Sequence, residues 1–84
     1  MTLVLRNVYR VRDEVDQVLA SRLKGMREER EITQEQLAFE AGITVSALSR
    51  IERGLNNPRW TTVRRIARAL NVGLVELAKA IEGA

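Results

Sequence analysis

Apolar residues recur along this chain at steps of three and four, in blocks separated by short polar breaks. Leu37, Ala38 and Ala41 share one face of a helix beginning near Thr33, and Leu48 and Ile51 give a second short helix its buried side. Val63, Ile66, Ala67 and Leu70 do the same for a block from about Trp60 to Leu70, and Leu74, Leu77, Ala78 and Ile81 for a last block ending near Glu82. Upstream, Val15, Val18, Leu19, Leu23 and Met26 form the inner face of a helix that starts at Asp13 or Asp16 and runs to Arg30. The pattern predicts five short helices and an all-α fold. Residues 2–12 read two ways. Leu3, Leu5, Tyr9 and Val11 alternate with Val4, Arg6, Val8 and Arg10 as in a short strand, whereas Val4, Val8, Val11, Val15 and Val18 step as in a helix. Their β-branched content favours an extended arm. The organisation read from the chain is therefore an N-terminal arm over 1–12 and one helical domain over 13–84.

The breaks between blocks carry helix punctuation. Thr33 can cap one helix, and Gln36 three residues later completes a capping box. Gly42 marks a turn in which positive φ is cheap only for glycine. Thr44 can cap the next helix and Gly54 stops it. Asn56-Asn57-Pro58 is a turn signal, Asn71 fits a helix C-terminus, and Gly73 is a weak but acceptable N-cap. Two short helices are thus joined by a tight glycine turn. The outward face of the second carries Val45, Ser46, Ser49, Arg50 and Arg53, short near its N-terminus and arginine-bearing further along. Such a helix can enter the major groove of DNA.

The run Thr33 to Gly54, TQEQLAFEAGITVSALSRIERG, resembles the helix-turn-helix of the Cro/CI (XRE-type) repressor family. The likeness extends upstream through Arg22-Leu23-Lys24-Gly25-Met26-Arg27 and downstream through Asn57-Pro58 and Ile66 to Val72, covering roughly Leu19 to Ile81. It implies a lambda-repressor-like five-helix domain. Val45, Ser46 and Arg50 match the family's base-reading positions. Arg50 could donate two bonds to guanine O6 and N7, and Val45 could lie against a thymine methyl. Gln34, Thr44, Arg53 and Arg59 match phosphate-contacting positions, and the first-turn amides beside Gln34 independently favour an anion. The resemblance makes Arg27 and Glu52 a partly buried salt bridge joining the first and third helices. Trp60 stands at a position that is apolar in the family, with core or dimer packing as its role. Together with Leu74, Leu77 and Ile81 it is a candidate dimer surface; the other reading is a monomer in which the arm covers these residues.

The sequence departs from the family at two places. Glu31 stands where a glycine is usual, so either Glu31 adopts a left-handed conformation at a cost of roughly 1 kcal/mol or the turn differs. Arg59 stands where a serine cap is usual, so either Thr61 caps or Arg59 gives up capping for a phosphate.

Charge sharpens the picture. The net charge is +3 over 84 residues. Residues 1–42 hold seven basic against eight acidic side chains, and residues 43–84 seven against three, so the positive excess begins with the recognition helix. Twelve of the fourteen basic residues are arginine, whose planar fork suits phosphates and guanine edges. Arg64, Arg65 and Arg68 are read as a solvated face; the arm is read as an extension packed on the domain, the alternatives being that it pairs with a partner chain or supplies Arg6, Arg10 and Arg12 to DNA. With no cysteine and no histidine, thiolate metal sites, disulfides and imidazole acid–base chemistry are excluded. Glu28, Glu29 and Glu31 have no companion groups that would make a catalytic site. The expectation is a cytoplasmic transcriptional regulator, not an enzyme. It is expected to be a repressor binding a palindromic operator as a homodimer, with no cofactor, no small-molecule ligand and no membrane partner. The alternatives are a restriction–modification controller, an antitoxin with a toxin as protein partner, or an interaction module that has lost DNA binding.

Overall fold

The computed structural model describes residues 16–83. Among them are five helices and no strand: α1 (Gln17–Glu29), α2 (Gln34–Ala41), α3 (Val45–Glu52), α4 (Trp60–Ala69) and α5 (Leu74–Glu82). The arm expected over residues 1–12, and Val15, lie outside the described residues.

Each helix starts where its sequence supplies an acceptor, with two exceptions. The Asp16 carboxylate accepts from the Leu19 amide at 2.9 Å and fixes the start of α1. The Thr33 hydroxyl accepts from the Gln36 amide at 3.0 Å while the Gln36 carbonyl accepts from the Thr33 amide at 2.8 Å, a complete capping box. Thr44 accepts from the Ala47 amide at 3.0 Å. Helix α4 follows Arg59 and α5 follows Gly73, neither with a side-chain cap. Thr61 lies inside α4 and does not cap it.

Four helices end in the same way. A residue with positive φ is followed by an apolar one whose amide reaches back five residues: Ile32 to the Arg27 carbonyl, Ile43 to Ala38, Leu55 to Arg50 and Val72 to Ala67, at 2.9–3.4 Å. These are Schellman endings. The left-handed residues are Glu31 (φ 56), Gly42 (φ 72), Gly54 (φ 71) and Asn71 (φ 58). Glu31 therefore adopts the left-handed conformation itself, and the turn keeps its shape.

The core closes around Leu23, Leu37, Leu48, Ile66 and Leu70, all fully buried, with Ala38, Ala41, Ile51, Val63, Ala67, Val72 and Leu77 between them. Helix α2 packs on α3 and α4, α1 on α3 and α5, and α4 on α5. Two expectations are corrected here. Val18 is 38% exposed, and Ala20, two residues on and so on the opposite side of the helix, is buried with Leu23. Trp60 is 62% exposed and takes no part in the core. Arg22 extends from α1 to the far end of α5, where its Nε donates to the Ala80 carbonyl at 3.0 Å. This satisfies one of the orphan carbonyls of that helix end.

Candidate nucleic-acid interface

Helix α3 is amphipathic, and its two faces divide the work. Leu48, Ile51 and Glu52 are buried, and this fixes the helix against α1 and α2. Val45, Ser46, Arg50 and Arg53 are exposed on the other side, with Ser49 half-buried at the edge. The structure thus brings the three base-reading candidates, Val45, Ser46 and Arg50, to one solvent face. Both ends of the helix are pinned, by the Thr44 cap and by the Gly54 turn.

Behind that face lies a polar cluster that no single helix could make. The Arg27 Nε donates to Glu52 Oε2 at 2.8 Å and Nη2 donates to Oε1 at 3.0 Å, a bidentate pair between α1 and α3. The third donor of the fork, Nη1, reaches the Ile32 carbonyl at 2.9 Å. The Glu52 side chain is 1% exposed, and Glu52 is the only buried charged residue among those described. Its hydrogen bond and charge push the Arg27 guanidinium above the ordinary arginine value, against the opposing effect of burial. The Arg27 guanidinium therefore stays charged across the physiological range. The contribution of the Arg27 charge is present at neutral pH and is lost as strongly alkaline pH rises through the raised value.

Gln34 joins this cluster: its Nε2 donates to Glu52 Oε1 at 2.9 Å. The sequence offered no sign of that contact. One of the two amide hydrogens is taken by Glu52, and the second is left beside the first turn of α2. Thr44 is used similarly. Its oxygen caps α3, and its own hydrogen remains to donate. Arg53 folds its Nε back toward the Ser49 carbonyl at 3.4 Å, leaving the terminal amino groups outward. Arg59 is exposed at the uncapped start of α4. No buried side-chain nitrogen or oxygen among the described residues lacks a partner, and no group of histidines, cysteines or carboxylates there could hold a metal ion.

The four dimer candidates separate. Leu77 is 3% exposed and belongs to the core, so it is not itself a free surface. It floors a cleft of about 310 Å³ that Leu19, Pro58, Trp60, Leu74 and Ile81 also line. Trp60 and Leu74 stand at its exposed rim.

Asn56, which the sequence shows only as part of a turn, also lies beside the exposed face of α3. Its carboxamide has one orientation that faces acceptors with its nitrogen and donors with its oxygen. In that orientation it donates to the Leu55 carbonyl at 2.8 Å and accepts from the Arg50 Nε at 3.0 Å. The available signal was its position two residues past Gly54, where the Schellman turn brings the chain back alongside Arg50.

Comparison with known proteins agrees with this fold. The helix-turn-helix family model matches residues 23–77. The chain is 39% identical over 64 residues to the HTH-type transcriptional repressor RghR of Bacillus subtilis, covering 71% of this chain and 47% of that protein. It is 41% identical over 54 residues to the immunity repressor protein of Bacillus phage phi105, covering 64% of this chain and 38% of that one. It thus spans about half, or less, of the length of these curated relatives. The restriction-modification controller protein C.Esp1396I, solved as a tetramer in complex with its natural 35 base-pair operator, superposes with a TM-score of 0.78 at 25% identity. That match covers 82% of this chain and 91% of the controller.

Proposed function

The chain belongs to the helix-turn-helix family of Cro/CI (XRE) type, and on that premise we propose that it is a sequence-specific double-stranded-DNA-binding regulator of transcription, acting as a repressor. The observation that carries this reading is the outward face of α3. Val45, Ser46, Arg50 and Arg53 serve no packing purpose there, yet they sit on a helix locked at both ends and anchored by Leu48 and Ile51. A rigid, narrow, arginine-bearing helix matches the width and the acceptor pattern of a major groove.

In this reading Arg50 donates to guanine O6 and N7, Val45 rests on a thymine methyl, and Ser46 makes a neutral polar contact. Gln34, with the first-turn amides of α2, and Thr44, Arg53 and Arg59 hold phosphates and set register. Two copies related by a two-fold axis present their α3 helices about 34 Å apart, one turn of DNA. The cleft rimmed by Trp60 and Leu74 supplies an apolar surface for that pairing. The reading assigns the chain no catalysis and places it in the cytoplasm, and no helix among the described residues is long and apolar enough to cross a membrane.

A second, more specific reading is controller of a restriction–modification operon, which the superposition on C.Esp1396I, with a TM-score of 0.78 at 25% identity, supports.

Selection of bound duplexes from a random pool at moderate salt tests the proposal. A recovered palindrome with guanines at matched half-site positions is expected, and Arg50→Ala is expected to lose the preference for those guanines. Recovery of no motif overturns sequence-specific reading.

A further inference from the structure

We infer that Asn56 is a positioning residue for Arg50, holding the guanidinium in the orientation in which it reads a base. The inference rests on the base-reading role proposed above for Arg50. It begins with backbone geometry. The positive φ of Gly54 turns the chain back on α3, and the Leu55 amide donates to the Arg50 carbonyl at 2.9 Å. This places residue 56 beside the Arg50 side chain rather than beyond the helix end. Only one orientation of the Asn56 carboxamide suits both of its neighbours, and in it the nitrogen donates to the Leu55 carbonyl at 2.8 Å. Its oxygen then has one direction to face, and there it accepts from the Arg50 Nε at 3.0 Å.

The choice of nitrogen matters. A guanidinium can meet the guanine edge side-on, through Nε and one amino group, or end-on, through its two amino groups. With Nε engaged by Asn56, only the end-on fork is free. The same bond restricts a long, exposed side chain whose ordering otherwise counts against binding. Asparagine suits the task because it supplies both the donor for the backbone and the acceptor for Arg50 without a negative charge facing phosphate. No other described side chain bonds to Arg50.

Four proteins decide the matter: the parent, Asn56→Ala, Arg50→Ala and the double variant. Asn56 is exposed on a loop, so its alanine variant is expected to keep the parental thermal midpoint. In the free protein, the Arg50 Nε–H resonance should exchange with water faster in Asn56→Ala than in the parent, a readout that needs no DNA. On DNA, Asn56→Ala should lower discrimination at the one half-site position that Arg50→Ala abolishes, by about three- to tenfold. It should leave the other positions unchanged, and the double variant should match Arg50→Ala alone. Unchanged Nε–H exchange together with unchanged discrimination overturns the inference. So does a uniform loss of affinity that persists on the Arg50→Ala background, which would make Asn56 an independent DNA contact. If Arg50→Ala leaves every base preference intact, the base-reading role itself fails and Asn56 positions nothing that reads. The exchange measurement tells that outcome apart from a missing Asn56–Arg50 bond.

Discussion

Arg59 occupies the N-cap of α4 without capping it, and a residue that gives up a local advantage at a surface position invites a functional explanation. Arg59→Ser should supply the missing acceptor and stabilise the domain by about 1 kcal/mol, seen as a higher urea midpoint. If Arg59 holds a phosphate, the same variant should bind operator DNA more weakly and with a smaller salt slope, by about one ion. Higher stability with unchanged DNA binding would remove Arg59 from the interface. Arg27 is the opposite kind of residue, with its whole fork used internally. Arg27→Ala leaves Glu52 buried without its partner and should cost about 3–5 kcal/mol, comparable to the stability of a domain this small. Replacing both members, Arg27→Met with Glu52→Leu, should recover most of that loss in denaturant unfolding, because the penalty comes from the orphaned carboxylate rather than from any large net value of the pair.

At the scale of elements, the repeated helix ending explains why so much of the fold was legible. Capping box, glycine turn and second cap are all encoded within a few residues of where they act, at Thr33, Gln36, Gly42, Thr44 and Gly54. Each ending also needs an apolar residue after the left-handed one, and Ile32, Ile43, Leu55 and Val72 supply it. Glu31 is the costly member of the set, since a side chain with a Cβ is strained at φ 56. Glu31→Gly should therefore raise stability by up to about 1 kcal/mol despite the greater freedom of the unfolded chain, a gain measurable as an increase in thermal midpoint. No gain would mean that unfolded-state entropy cancels the strain. The starts of α4 at Trp60 and of α5 after Gly73 fall where the apolar periodicity put them, although neither has a side-chain cap.

For the molecule as a whole, what the sequence concealed are links between residues far apart along the chain. The Arg22 side chain meets the Ala80 carbonyl, Gln17 Nε2 donates to the Gly54 carbonyl at 3.1 Å, and the Asp16 amide donates to Asn57 Oδ1 at 2.7 Å. Periodicity assigns a face to each residue but not the neighbour across the gap, so Gln34 could be read toward DNA without sight of Glu52. Trp60 and Leu77 looked alike for the same reason, and the structure separates them into rim and floor. Trp60→Ala should loosen self-association at least tenfold in sedimentation velocity while leaving the fold intact, whereas Leu77→Ala should cost about 2–5 kcal/mol of stability first. DNA binding should fall roughly a thousandfold between 50 and 200 mM salt if about six phosphates are neutralised, and a flat response would argue against the interface described. The division of α3 also bears on descent. The outward side chains at 45, 46 and 50 do not contribute to the core, while Leu48, Ile51 and Glu52 hold the helix from behind. Substitutions can therefore accumulate on the outward face without disturbing the scaffold, and, if that face reads DNA as proposed, duplicated copies of such a gene can drift to different operators and come to act side by side in one cell without cross-talk.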